Sequence, residues 1–161
     1  MSAGFERSRE NKLRRLVVFA LDGHRYALRL STVERIVRVV EVTPLPQAPE
    51  IVLGVVNVQG RIIPVIDIRK RFRLPGREMS LSDQLVIAHT SRRPVALVVD
   101  TVSGVAERSK EEVIAADSIL PDLEYVKGVA KLEDGLILIH DLGQFLSLEE
   151  EKTLNGALKA T

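Results

Sequence analysis

Two stretches of the sequence, 74 residues apart, say nearly the same thing. The run from Gly54 to Ile68 aligns without a gap on the run from Gly128 to Leu142. Both open with Gly-Val, turn at a glycine (Gly60, Gly135), pass through an apolar strand and end on Asp followed by an aliphatic residue (Asp67-Ile68, Asp141-Leu142). A second echo is offset by 69: Tyr26 to Val33 matches Val95 to Val102. A chain that repeats its strands at this distance is a tandem of two small β units. The repeated positions hold packing residues rather than reactive ones, which directs the reading toward a surface for other proteins.

The local patterns agree. Leu16 to Leu21 and Arg25 to Leu30 are strands joined by Asp22-Gly23, a two-residue hairpin turn. Tyr26, Leu28 and Leu30 alternate with Arg25, Ala27 and Arg29, giving the hairpin one buried face. Val33 to Val42 reads as a short helical turn leading into a strand, and Pro44, Pro46 and Pro49 keep the chain extended behind it. Val52 to Val58 and Ile62 to Ile68 form a second hairpin, in which Pro64 implies an edge or a bulge. Asp67 caps a short helix, Ile68 to Phe72. Residues 75–83 are polar and rich in turn formers, so the boundary between lobes is placed there. The pattern restarts with Leu85 to His89 and Val95 to Val99. Ser109 to Glu112 is a capping box opening a short helix that ends near Ala116. Tyr125 to Leu132 and Leu136 to Asp141 make the last hairpin. A second capping box, Ser147 to Glu150, opens a C-terminal helix docked by Leu154 and Leu158. Residues 1–14 lack apolar periodicity and read as a mobile arm. Short strands at regular spacing with glycine turns mean small barrels rather than a βαβ sheet.

Composition bears mainly on what the protein does not do. A net charge of +1 and 4% aromatic residues, with no tryptophan, argue against nucleic acid as partner. So small a net charge also leaves little repulsion against self-association. The chain has no cysteine, which excludes disulfides and thiol chemistry. The N-terminus carries no signal-like apolar region, and no run spans a bilayer, so a cytoplasmic protein without direct membrane insertion is expected. His24, His89 and His140 have no metal-ligand spacing. Gly-x-Ser-x-Gly and Gly-x-Gly-x-x-Gly are both absent. Asp67, Asp100 and Asp141 sit at strand ends, where capping explains them. No enzyme and no cofactor are expected. What remains is aliphatic surface: Val33, Ile36, Val55, Val56, Val95, Ile119 and Leu120 exceed what two small lobes need at loops and strand ends. About half fill the cores, and the rest form patches for partners.

At this point the chain resembles the CheW family, the coupling proteins of bacterial chemosensory arrays, over roughly residues 15–147. The resemblance rests on Phe19-x-Leu-Asp22-Gly-x-x-Tyr26-Ala-Leu, on Thr43-Pro-Leu-Pro46-x-Ala-Pro49 and on Gly54-Val-Val-Asn57-Val-x-Gly60-Arg-Ile-Ile-Pro64-Val-Ile-Asp67-Ile-Arg69. Ala96-Leu-Val-Val-Asp100-x-Val and Val126-Lys-Gly128-Val-Ala-Lys-Leu complete it. It implies a mainly β fold: two SH3-like five-stranded β-barrel lobes around a shared hydrophobic core, with short helices and a C-terminal helix. Lobe 1 would span about 15–76, lobe 2 about 84–146, and the C-terminal helix 147–161. It implies a non-enzymatic adaptor, recruited to membrane receptor arrays, that binds the cytoplasmic tip of methyl-accepting chemoreceptors and the regulatory domain of the histidine kinase CheA. Carried over by motif position, the receptor would lie in the groove between lobes, near Val33, Ile36, Asn57, Gln59, Pro94 and Val95. Kinase contacts would use Ile119, Leu120 and Arg61.

Two positions depart from the family pattern. Many members have an acid where Arg35 stands and an arginine where Gln59 stands, and if those two pair, this chain has lost both halves. That puts kinase activation in question and leaves a variant scaffold of a non-flagellar pathway as the alternative. A nucleic-acid-binding SH3-like module with a basic arm is the more distant rival. The resemblance also implies that Val95→Glu or Ile36→Glu weakens receptor binding with the fold intact.

Overall fold

The computed structural model describes residues 13–115, 125–133 and 135–160. They form eleven strands in two sheets, with three single 3-10 turns, one short helix and a C-terminal helix. The chain divides into two compact units: one takes the residues up to Ser31 together with Val102–Asp141, the other Thr32–Thr101 together with Leu142 onward.

The first unit is a six-stranded sheet in the order β8-β1-β2-β11-β10-β9. Its strands are β1 (Leu13–Leu21), β2 (His24–Arg29), β8 (Thr101–Ser109), β9 (Val113–Ala115), β10 (Val126–Leu132) and β11 (Gly135–His140). Asp22 and Gly23 have φ of 51° and 78°, the turn that sets Phe19 opposite Tyr26 and Val17 opposite Leu28. One face carries the cluster Leu16, Val18, Ala27, Ala130, Ile137 and Ile139, all nearly fully buried. Each of its four Leu, Val and Ile side chains contributes about 1.5–3 kcal/mol relative to exposure.

The second unit is five-stranded, in the order β3-β6-β7-β5-β4. It comprises β3 (Val33–Arg38), β4 (Val52–Val58), β5 (Arg61–Ile66), β6 (Gln84–His89) and β7 (Pro94–Val99). Val56, Ile63, Val65, Leu85, Ile87 and Ala96 fill its core. Helix α1 (Ile68–Arg71) begins where the Asp67 carboxylate accepts from Arg69 N at 3.1 Å, and helix α2 (Leu148–Lys159) begins at the Ser147–Glu150 capping box. Leu154 and Ala157 are the buried apolar positions of α2, while Leu158 is only half-buried. The polar stretch 75–83 is held by charge: Arg77 reaches Asp83 at 2.7 Å and also Asp100, and Arg69 reaches Asp100 at 2.8 Å. Asp83 is 2% exposed and also accepts from Ser80 N.

The repeat is visible as pairing. Val65 lies opposite Ala96 in the parallel ladder β5–β7, and Ile139 opposite Ala27 in the parallel ladder β11–β2. The two sheets run in the same order if β8 answers to β3, β1 to β6, β2 to β7, β11 to β5 and β10 to β4. The units are nevertheless not consecutive halves of the chain, and the lobe boundaries read from the sequence do not describe them. The hairpin β1–β2 pairs with β8 and β11 from the second repeat, while β3–β5 pair with β6–β7. The two repeats have exchanged their leading hairpins.

Smaller differences have local causes. The first unit has a sixth strand because Lys110–Glu112 makes one 3-10 turn instead of a helix, and the chain then extends as β9. Pro64 lies in an interior strand; its missing donor is tolerated because β5 pairs with β7 only beyond it, at Val65 and Ile66. The bulge falls on β4, between Val52 and Gly54. There the Thr43–Val55 bridge brings backbone so close that a Cβ on Gly54 would lie 2.2 Å from the Thr43 carbonyl oxygen.

Candidate partner-binding site

The site is built on β3, the edge strand of the second unit. Val33 faces Ala88, but the next paired residue is Arg35, facing Ile87, so Glu34 is the extra residue of a bulge. A bulge re-aims a side chain, and Glu34 becomes the centre of a charged cluster. Arg61 donates to it twice, Nη1 to Oε1 at 2.5 Å and Nη2 to Oε2 at 3.2 Å. His89 Nε2 lies 3.4 Å from Oε2. The hydrogen bond from Arg61 holds the Glu34 carboxyl below the usual carboxylate range, with the charges of Arg61, His89 and Arg35 adding to it against the cost of burial. Arg61 is raised in turn by the same bond.

These contacts gather most of the residues carried over for receptor binding. Arg61 closes the β4–β5 turn, whose central residues Gln59 and Gly60 have φ of 53° and 83°. Asn57 Oδ1 accepts from Gly60 N at 2.9 Å, so its oxygen is engaged in shaping that turn. Pro94 is the cross-strand partner of His89. Val33 and Ile36 flank Glu34 along β3; Val33 is half-buried and Ile36 is 40% exposed. Arg61 and His89 reach the Glu34 carboxylate itself; Val33 and Ile36 share its strand, Gln59 shares the turn that Arg61 closes, and Pro94 is the partner of His89.

Val95 is different. It is 2% exposed, packed in a small cavity beside Ile66, Leu142, Phe145 and Leu146. It is a core residue, and Val95→Glu is a folding mutation rather than a clean test of binding. Val56 is likewise buried and Val55 half-buried. Arg61, read as a kinase contact, has its guanidinium in the Glu34 pair. Ile119 and Leu120 lie outside the described residues.

Glu34 was not singled out by the sequence, which looked for an acid at 35 and an arginine at 59. An acid–arginine pair is present, carried by Glu34 and Arg61. Its signal lay in the sequence, since Glu34 adjoins position 35 and Arg61 lies two residues after position 59, but only the bulge brings them together. Ile62 was also missed. It is 57% exposed and is the cross-strand partner of Asn57, so an apolar side chain stands beside the amide. Among the described residues no three His, Asp or Glu side chains gather as a metal ion requires, and no helix is long and apolar enough to cross a membrane. The arrangement offers an apolar edge around a fixed charge pair, which suits a protein partner.

Comparison with known proteins identifies the family. The model of the CheW-like domain matches residues 15–150. "Chemotaxis protein CheW" of Rhizobium meliloti (strain 1021) is 28% identical over 141 residues, covering 86% of this chain and 91% of the relative. The protein of the same name from Treponema pallidum (strain Nichols) is 28% identical over 145 residues, covering 86% and 85%. The crystal structure of scaffolding protein TtCheW from Thermoanaerobacter tengcongensis superposes with a TM-score of 0.77 at 30% identity, over 85% of this chain and 94% of that one. The chain belongs to the CheW-like domain family.

Proposed function

We propose that this protein is a non-enzymatic adaptor of bacterial chemotaxis signalling, located in the cytoplasm at receptor arrays. It couples the cytoplasmic tip of a chemoreceptor to the regulatory domain of a CheA-type histidine kinase. The family, and relatives named for chemotaxis and scaffolding, support the role. The observation that carries the site is the convergence on Glu34. Its pair with Arg61 ties the Asn57–Gly60 turn to edge strand β3, so that Ile36 and Val33 stand beside a preset charge pair. Such an edge suits a helical tip with apolar and polar residues on one face.

The test is co-sedimentation with receptor-containing membranes, with and without the kinase, reading kinase autophosphorylation alongside. Ile36→Glu and Glu34→Lys should each lower recruitment. The double exchange Glu34→Arg with Arg61→Glu should restore part of the loss from Glu34→Lys. Wild-type recruitment with raised kinase activity establishes coupling despite Gln59, whereas recruitment without activation establishes the variant scaffold instead. Full recruitment of folded Ile36→Glu would remove this edge from the interface.

A further inference from the structure

Helix α2 supplies none of the three residues of the Glu34 cluster, yet it is fastened to the turn that carries one of them. Its buried residues are Glu151, Leu154 and Ala157, and Glu151 is only 5% exposed. Arg93 Nη2 lies 3.3 Å from Glu151 Oε2 and also donates to Asn155 Oδ1, one helical turn further on. The same arginine closes the β6–β7 turn. Its carbonyl accepts from Thr90 N and Thr90 Oγ1, both at 2.9 Å, and its N donates to Thr90 Oγ1 at 3.1 Å. At the base of that turn His89 faces Pro94, and His89 Nε2 lies 3.4 Å from Glu34 Oε2. A continuous path therefore runs from α2 through Arg93 and the turn to the charged cluster, all within the second unit.

Docking of the helix does not require this joint. Leu154 and Ala157 bury its apolar stripe, and Arg71 already holds its first turn through Glu150 at 2.6 Å. A carboxylate as buried as Glu151 loses its hydration, and an aliphatic side chain of similar size there holds a helix about as firmly. What the arginine pair adds is orientation, because a planar guanidinium presents its donors in a fixed fork. We infer that Arg93 and Glu151 are positioning residues for the partner-binding edge, an assignment that rests on the role proposed for that edge. Through them α2 sets the β6–β7 turn, and with it the place of His89 against Glu34.

The experiment replaces the pair by apolar side chains of similar size, Arg93→Met with Glu151→Leu, in the full chain. Three readouts are taken: melting temperature, the amide and His89 ring resonances of the free protein, and co-sedimentation with receptor-containing membranes beside wild type and Ile36→Glu. The melting temperature should stay at or near that of wild type. The resonance shifts should extend past the turn to His89 and Glu34, and recruitment should weaken by about threefold or more. Glu151→Gln, which keeps the shape and removes the charge, should move the resonances and recruitment in the same direction, and it carries the test if the double variant melts low. Resonances of His89 and Glu34 that stay in place overturn the inference and leave the edge standing. So does full recruitment of the variants where Ile36→Glu is not recruited. Full recruitment of Ile36→Glu removes the edge from the interface and overturns both.

Discussion

His140 makes the stability of this protein depend on pH between about 6.5 and 4. It is 6% exposed on β11, with its ring 5.3 Å from the Tyr26 ring. Burial pushes its pKa down from 6.5 to about 4, and a hydrogen bond with the Tyr125 backbone works weakly the other way. The unfolded chain takes up a proton near pH 6.5 that the folded chain refuses until about pH 4. Stability is therefore complete above the unfolded value and falls as pH decreases, by at most about 1.4 kcal/mol per unit. By pH 4.5 the loss is about 2 to 3 kcal/mol, and it approaches about 3 kcal/mol below the folded value. Glu34, Glu112 and Glu150 are also held below their usual range, but their contributions are lost only as pH falls through still lower values.

The assay is urea unfolding at several pH values between 7.5 and 4.5, on wild type and on His140→Phe. Phenylalanine keeps a ring beside Tyr26 and removes the titration. The Tyr125 carbonyl keeps a donor, because Asp141 N already bonds it at 2.6 Å. With a denaturant slope of about 2 kcal/mol/M, the wild-type midpoint should fall by about 1 M across that range. The variant should lose much less. Parallel pH profiles for the two proteins would refute the reasoning, since the proton would then be taken up elsewhere.

Four other outcomes follow from single positions. Gly54→Ala drives a methyl group to 2.2 Å from the Thr43 carbonyl oxygen at φ +155°, and should cost about 3 kcal/mol or more by thermal unfolding. Asp83→Ala leaves Ser80 N without its side-chain acceptor and Arg77 with Asp100 as its one remaining carboxylate, and should lower stability by about 3 kcal/mol in chemical denaturation. Ile36→Glu should stay within about 0.5 kcal/mol of wild type in melting while losing receptor recruitment. Val95→Glu, which buries a charge, should fail to fold by circular dichroism.

The internal repeat made the fold legible. Each repeat carries the same hairpins with the same alternation, and a hairpin closed by Asp22-Gly23 is decided within ten residues. What the repeat could not reveal is its partner. Because β1–β2 and β6–β7 present equivalent edges, pairing β11 with β2 or with β7 satisfies the same apolar pattern. A sequence pattern fixes which faces are apolar but not which of two equivalent strands meets them. The stretch 75–83 looked like a boundary for a related reason. It is polar and turn-rich, yet its polar groups are consumed internally by the Arg69–Asp100–Arg77–Asp83 network, so it is a strap within one unit.

The site was half legible on the same grounds. Exposure on an edge strand follows from alternation, which serves for Ile36, but Val95 lies in an interior strand with residues from the far end of the chain packed on it. Those contacts arise from the segment Leu142–Leu146, about fifty residues away, and no local pattern announces them. The charge pair shows the limit more sharply. Reading β3 as a regular strand puts Glu34 and Arg35 on opposite faces, so the acid at 34 cannot stand in for one at 35. One bulged residue removes that constraint, and Arg61, on the first position of β5, is long enough to meet the re-aimed carboxylate. If the pair is what partners recognise, a motif search that demands an acid at 35 and an arginine at 59 will score this chain as deficient while its surface is not. The charge-exchange variant at Glu34 and Arg61 decides the point: recovery relative to Glu34→Lys assigns the role to the pair that ties the turn to β3, and no recovery assigns it to the polarity that a receptor would read.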